Sequence, residues 1–310
     1  MNKKYKGVIP PIITPVDAHE RVDEAALRAL IRHCIEVGMH GIFVAGTNGE
    51  AMALCPRERE RAIKITLDEC GEKIPVLCGI MDSGTGRVIE NLKRLEQLGG
   101  KAAVVTPVFY AKHAAQGEFL RHYEAVSRSA SCDILIYNIP AYTGACMKAE
   151  DVFEISKMEH ISGYKDSSGN LQEFISCTEH FRNTDFSVLQ GVSGLAAASM
   201  LLGADGMVPS LAPAFPEIYL GVYEAGRRGD AAQTSRWNRW LMQAQALLQI
   251  PKSALAANKC VMSFLGYSSE AVLRPTEPVS EREHACMYRL AQEICDHAQL
   301  PARFTERMKK

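Results

Sequence analysis

Lysine is strongly hydrated and rarely ends an interior strand. That makes Ile161–Ser162–Gly163–Tyr164–Lys165–Asp166–Ser167–Ser168–Gly169–Asn170 the stretch of this chain most suggestive of chemistry. A short apolar run stops on Lys165 and breaks into a polar loop. An amine held there is pushed towards its neutral form by desolvation, and a neutral amine attacks a carbonyl to give a Schiff base. The plainer reading is a strand-end lysine whose stem snorkels out to water. Its neighbours decide between the two.

Three other stretches bear on this. Gly46–Thr47–Asn48–Gly49–Glu50 sets a hydroxyl, an amide and backbone N–H groups between two glycines. Such a turn can present donors to an anion of carboxylate size, although an ordinary glycine turn would read the same way. Thr106–Pro107–Val108–Phe109–Tyr110 brings aromatics to the end of a strand, and Tyr137–Asn138–Ile139–Pro140–Ala141–Tyr142–Thr143–Gly144 opens on a phenol. If Tyr137 and Lys165 point inward from adjacent strands, Leu135 and Gly163 lie beneath them. Ile134, Ile136 and Tyr164 then face outward. Phenol and amine stand side by side, a nucleophile with a proton carrier.

The elements that must position these groups alternate. Strands are expected at Val8–Ile13, Gly41–Ala45, Pro75–Ile80, Ala102–Thr106, Ile134–Tyr137, Ile161–Lys165, Ser187–Gln190 and Gly206–Ser210. Helices follow each, beginning near Glu24, Arg57, Gly86, Gln116, Lys148, Leu171, Gly194 and Phe215. Ala26, Leu27, Leu30, Ile31, Cys34 and Ile35 recur at helical spacing and form the stripe that packs on a sheet. Eight such units predict an α/β fold, a (β/α)8 TIM barrel over residues 1–225, with its chemistry at the C-terminal strand ends. A doubly wound sheet would carry a G-x-G-x-x-G turn after its first strand, and Pro15–Val16–Asp17–Ala18–His19 stands there instead. Residues 226–310 read as a C-terminal helical region, with helices at Asp230–Leu248, Lys252–Phe264 and Glu281–His297. Leu241, Leu247, Leu248 and Leu255 give them apolar stripes for the barrel or for a second subunit.

Composition narrows the function class. A formal net charge of −1 gives no basic field for nucleic acid or for an anionic membrane. No apolar run reaches the roughly 20 residues needed to span a bilayer, and the proline-broken start reads as a strand rather than a signal peptide. The ten cysteines form no C-x-x-C pair, and the nearest two, Cys70 and Cys78, are too far apart for a local metal knuckle. Free, mostly buried thiols of a cytoplasmic protein are expected. His33, His122 and His180 fall in helices and are expected at the core edge or in solvent.

The set G-T-N-G-E, Y-N-I-P-x-x-T-G and G-Y-K-D-S-S-G, in this order and over nearly the whole chain, resembles the dihydrodipicolinate synthase / N-acetylneuraminate lyase family of class I aldolases. The resemblance implies a homotetramer or homodimer of (β/α)8 barrels acting on a small-molecule 2-keto acid. It makes Lys165 the Schiff-base lysine and Tyr137 the residue that shuttles a proton to the substrate hydroxyl. Thr47 joins the proton relay and, with Asn48, holds the keto-acid carboxylate, while Val208 offers a backbone carbonyl to bound pyruvate. No cofactor is implied beyond the covalent imine with Lys165, which supplies the electron sink that a metal provides in other aldolases.

The departures from the family pattern set the expected specificity. Dihydrodipicolinate synthases carry an arginine where this chain has Tyr142, a second threonine where it has Asn48, and a relay tyrosine from a neighbouring subunit at Phe109. Tyr110 lies next door as a substitute. Neuraminate lyases carry acidic residues where Gly191–Val192–Ser193–Gly194 is small and uncharged, which makes Ser193 part of a neutral substrate rim. The expectation is a lyase that reversibly cleaves a 4-hydroxy-2-oxo acid, of the 4-hydroxy-2-oxoglutarate or 2-keto-3-deoxy sugar acid type, to pyruvate and an aldehyde. The alternatives are 4-hydroxy-tetrahydrodipicolinate synthase, which joins pyruvate to aspartate semialdehyde, and a barrel that binds keto acids without turning them over.

Overall fold

The computed structural model describes residues 3–111 and 117–304. Eight strands form one parallel sheet: β1 (Gly7–Val8), β2 (Ile42–Val44), β3 (Val76–Gly79), β4 (Ala102–Val105), β5 (Asp133–Asn138), β6 (Ile161–Asp166), β7 (Ser187–Gln190) and β8 (Gly206–Met207). Neighbours follow chain order, and β8 pairs with β1. The ring closes between the first two strands, where Phe43 N donates to Pro10 O at 2.9 Å and Ile12 N to Phe43 O at 3.0 Å. The barrel is the expected one.

The outermost strands are shorter than the apolar runs suggested, and proline is the reason. Pro10 and Pro11 have no N–H to give, so β1 ends at Val8 and continues only as the isolated Pro11–Phe43 bridge. Pro209 likewise follows the last paired residues of β8, although Val208 N still donates to Gln190 O at 2.8 Å. The helices start within a residue or two of their expected positions. Asp23 caps the first, Glu24–Glu36, by accepting from Ala26 N. The expected start at Gln116 lies outside the described residues; that helix is described over Gly117–Ser127. One element was not expected: Pro140–Thr143 forms a single helical turn, opened by a proline and stopped by Gly144 at φ +66°.

Two cores result. Outside the sheet, Ile134, Ile136 and Tyr164 pack with the helices. Inside, Phe43, Leu77, Val104, Leu135, Tyr137, Leu189 and Val208 form one buried cluster. The alternation along β5 is the expected one, but along β6 it is interrupted. Ile134 pairs with Ile161, whereas Leu135 pairs with Gly163, so Ser162 is an extra residue bulged out of register. Without that bulge Tyr137 would face Tyr164. With it, Tyr137 pairs with Lys165.

Three helices complete the chain, Ala231–Ala246, Ala254–Phe264 and Glu281–Ala298. Leu241 and Leu247 are fully buried within this one chain, and Leu248 packs at the core margin. No described helix is long and apolar enough to cross a membrane. None of the ten cysteines is in a disulfide; Cys55, Cys146 and Cys286 are exposed and the other seven buried. His122 is buried rather than at an edge, bridging Thr85 Oγ1 at 3.0 Å and the Thr106 carbonyl at 3.1 Å.

Leu135 is buried in the barrel centre, and a cavity there would lie beneath Tyr137 and Lys165. Leu135→Ala should destabilise the fold by about 2–5 kcal/mol, read as a lower urea midpoint at unchanged m-value.

Candidate active site

Lys165 sits on the fifth of the six residues of β6 and is 5% exposed. Its Nζ lies 3.9 Å from the centre of the Tyr137 ring and 4.7 Å from that of Phe43. Burial alone brings the amine down to about 7. Two aromatic faces favour the cation only weakly. A substantial fraction of Lys165 is therefore a free amine at neutral pH.

Small residues make room for it. A Cβ on Gly191, at the end of β7, would lie 2.1 Å from Ser167 Oγ and 3.1 Å from Lys165 Cε. Gly163, directly below on β6, is closely overlaid by Leu135 and by Ser187 of β7. The lysine stem thus threads a channel fitted to its width.

The side chains of Ser167 and Thr47 stand near the Tyr137 hydroxyl and oppose the effect of burial on it. Burial wins, and the phenol is pushed up to about 12. It stays protonated at neutral pH and can move a proton only by passing its own on, through Thr47 or Ser167. Ser167 was missed as a site residue, although it stands in the K-D-S-S-G stretch. Beyond it, Asp166 is buried and accepts from Asn138 Nδ2 at 2.9 Å, the Tyr164 hydroxyl at 2.8 Å and Ser168 Oγ at 2.8 Å. Desolvation raises its pKa even so. This network ties the ends of β5 and β6 together, and so fixes the phenol beside the amine.

The G-T-N-G-E turn follows β2. Its own hydrogen bonds use the amides of Gly49, Glu50 and Ala51, leaving those of Thr47 and Asn48 outside the turn's carbonyl pairing. The Asn48 side chain is committed elsewhere, donating to the Pro11 carbonyl at 2.6 Å. Any grip of Asn48 on a carboxylate therefore falls to its backbone N–H. Glu50, at φ +54°, is also part of the site's framework. It forms a fully buried ion pair with Lys259 of the helix Ala254–Phe264 and accepts from Leu273 N at 2.9 Å, while Lys259 Nζ donates to Ala271 O at 2.8 Å. Sequence reasoning missed this pair because its members lie far apart in the chain; the only trace was a lysine inside an apolar helix.

A cavity of about 190 Å³ opens at the C-terminal ends of the strands, with Thr47 on its wall but Lys165, Tyr137 and Asn48 not among its lining residues. Thr47, Thr106, Phe109, Ile139, Tyr142 and Leu255 are among its walls, and among the described residues none that lines it is Lys or Arg. Thr47 joins the cavity to the Tyr137 hydroxyl below it. Thr106 Oγ1 is buried with no hydrogen-bond partner among the described residues. Phe109 lines the cavity, whereas Tyr110 is 99% exposed at φ +79° and reaches no part of its own chain's cavity. Tyr142 lies on the wall as expected. Val208 is buried in the barrel cluster with Tyr137, and Ser193 opens the short turn Ser193–Leu195; neither lines the mouth cavity.

Removing one member of the Glu50–Lys259 pair leaves a buried charge alone. Lys259→Met should cost about 3–5 kcal/mol, and pairing it with Glu50→Gln should recover a large part. Denaturation of the two single variants and the double variant gives the coupling; additive losses would mean that the pair is not what holds the turn.

The comparisons with known proteins agree with this geometry. The dihydrodipicolinate synthetase family model matches residues 4–294. A 4-hydroxy-tetrahydrodipicolinate synthase of Methanopyrus kandleri is 29% identical over 97% of this chain and 99% of its own. An uncharacterised DapA-like lyase of Halobacterium salinarum is 27% identical over 91% of both chains. Dihydrodipicolinate synthase from Bacteroides thetaiotaomicron superposes with a TM-score of 0.89 at 31% identity, over 94% of this chain and all of its own. YagE, an E. coli K12 prophage protein of the dihydrodipicolinic acid synthase family solved with pyruvate, gives 0.88 at 26%, over 94% of this chain and 98% of its own. The chain belongs to the dihydrodipicolinate synthetase family, a family of class I, Schiff-base aldolases, and is a lyase.

Proposed function

We propose that this enzyme reversibly cleaves a 4-hydroxy-2-oxo acid to pyruvate and an aldehyde, with Lys165 as nucleophile and Tyr137 as proton carrier. The observation that carries the reading is an amine lowered to about 7 by burial alone, standing against the ring of a phenol that has the Thr47 and Ser167 side chains near its hydroxyl. The free amine adds to the substrate C2 carbonyl, and loss of water leaves a protonated imine. Tyr137 then accepts the C4 hydroxyl proton as its own passes towards Thr47 or Ser167. The C3–C4 bond breaks, the aldehyde departs, and the bonding electrons move into the imine to give an enamine. Protonation at C3 and hydrolysis release pyruvate and restore Lys165. The backbone N–H groups of Thr47 and Asn48 hold the keto-acid carboxylate in this scheme, and the Val208 carbonyl completes the pyruvate contact.

The cavity wall bears on the aldehyde half. Among the described residues it offers no guanidinium or ammonium to a second carboxylate, but it does offer the hydroxyl-bearing side chains of Thr47, Thr106 and Tyr142. This favours neutral aldehydes of the 2-keto-3-deoxy sugar acid type over the glyoxylate released from 4-hydroxy-2-oxoglutarate. Condensation with aspartate semialdehyde is the second reading, favoured by the names of several relatives. Tyr142, 63% exposed on the wall, is the residue that weighs against it. A homodimer or homotetramer is part of the proposal, and the outward-turned Tyr110 is a side chain that such an assembly would cover.

Borohydride added with pyruvate should reduce the imine and attach a stable mass to the peptide containing Lys165. Lys165→Ala should take up none, and an equal adduct on that variant would end the assignment. The trapping rate should rise with pH through about 7, because below that value the amine is increasingly the non-nucleophilic ammonium. A flat profile between pH 6 and about 8 would mean that the amine is not the titrating group. Tyr142→Arg should raise the kcat/KM for condensation with aspartate semialdehyde by roughly tenfold or more if a missing carboxylate partner is the obstacle. An unchanged value would remove that explanation.

A further inference from the structure

Behind the G-T-N-G-E turn, the C-terminal region gathers three side chains of metal-ligating type. Cys260 lies on the helix Ala254–Phe264, His284 on the helix Glu281–Ala298, and Glu270 on the loop between them. Their ligand atoms all fall within 4.8 Å of one another. Cys260 Sγ is 3.8 Å from His284 Nδ1, and that nitrogen is 2.7 Å from Glu270 Oε1. We propose that these three residues bind a divalent cation of the zinc class, with water in the fourth position.

Two of the three ligand-atom separations are near those such an ion sets, and the third, sulfur to oxygen, lies within 4.8 Å. Zinc bonds of about 2.3 Å to sulfur and about 2.0 Å to nitrogen, at a tetrahedral angle, set the two ligand atoms about 3.5 Å apart. The observed sulfur–nitrogen separation is already close to that. Nitrogen and oxygen ligands sit about 3.3 Å apart, so the Glu270 carboxylate needs to swing back by only about half an ångström. The supporting contacts are also present. The Phe264 ring packs edge-on against His284, with centroids 5.2 Å apart, and Ser263 Oγ lies 3.4 Å from Glu270 Oε1. A mixed sulfur, nitrogen and oxygen set, with the thiol fully buried and the other two partly exposed, prefers zinc or cobalt to magnesium or calcium.

The position gives the ion a task. Lys259, which pairs with Glu50, immediately precedes Cys260, and Ala271, which accepts from Lys259, immediately follows Glu270. Leu273, two residues further along, holds Glu50 directly. A metal bridging Cys260, Glu270 and His284 would therefore clamp the helix and the loop that hold the turn carrying Thr47 and Asn48. The ion does not touch the reacting atoms; its role is positional.

The full-length chain, stripped with chelator and dialysed against zinc, should retain one ion per chain and melt at a higher temperature than the stripped form. Cobalt in its place should give a sulfur-to-metal charge-transfer band in the near ultraviolet. Cys260→Ser should abolish that band and weaken zinc binding by more than about tenfold, while keeping the circular dichroism of the stripped parent. Cys286→Ser, which removes an exposed thiol from the same helix as His284, should change neither band nor affinity. Zinc retained equally by Cys260→Ser, or no zinc retained by the parent, would overturn the site. Binding without a rise in melting temperature would overturn the clamp. None of these readouts depends on the identity of the keto acid, so failure here is separable from failure of the Lys165 assignment.

Discussion

The barrel is arranged around the desolvation of one amine. An ammonium group in a closed barrel is costly without a counter-ion, and among the described residues Lys165 is given none: it faces the rings of Tyr137 and Phe43. The nearest carboxylate in sequence, Asp166, is its immediate neighbour and points the other way, into hydrogen bonds with Asn138, Tyr164 and Ser168. Strand alternation makes this separation possible. Consecutive residues face opposite sides of the sheet, so the acid serves the outer scaffold and the amine remains in the interior. Had Asp166 reached Lys165, the pair would have held the amine charged and useless as a nucleophile.

That placement hangs on a local irregularity. The Ser162 bulge shifts β6 by one residue against β5, and everything above it depends on the shift. Gly163 then lies under Lys165, Tyr137 lies beside it, and Gly191 leaves space for its stem. A one-residue slip would place Tyr164 opposite Tyr137 and turn Lys165 out towards the helices. The bulge is therefore a functional element of the fold, paired with the glycines that permit close approach.

Much of this was legible in the chain because it is local. Alternation along Leu135–Tyr137 and the run ending at Lys165 named the inward residues. Helix stripes, such as Leu27, Leu30, Ile31 and Cys34, marked the elements and their order. The rest was illegible for specific physical reasons. Prolines shortened β1 and β8 by removing donors, which apolar runs do not report. The Asn48 amide turned out to be bonded to Pro11, since a polar side chain near a site can serve the backbone as readily as a ligand. Nothing in the spacing of residue 50 and residue 259 hints at an ion pair, because the C-terminal helices fold back over the strand ends only in three dimensions.

This last contact changes what the C-terminal region is for. Helices that merely covered the outside of the barrel would bury apolar stripes, as Leu241 and Leu247 do, and would need no buried charge. Instead Lys259, wholly buried, reaches Glu50, while the following loop donates Leu273 N to the same carboxylate. Replacing a buried ion pair with apolar groups is often neutral or stabilising, so stability alone is a poor reason to keep one. A directional link explains it better. Glu50 at positive φ ends the turn that presents Thr47 and Asn48, and an ion pair fixes its orientation where apolar packing would let it slide. Leu255, on the same helix as Lys259, lines the mouth cavity. The region therefore walls the mouth cavity and sets the angle of the Thr47–Asn48 turn from behind. A barrel cut at residue 225 would lose both, even with Lys165 and Tyr137 intact.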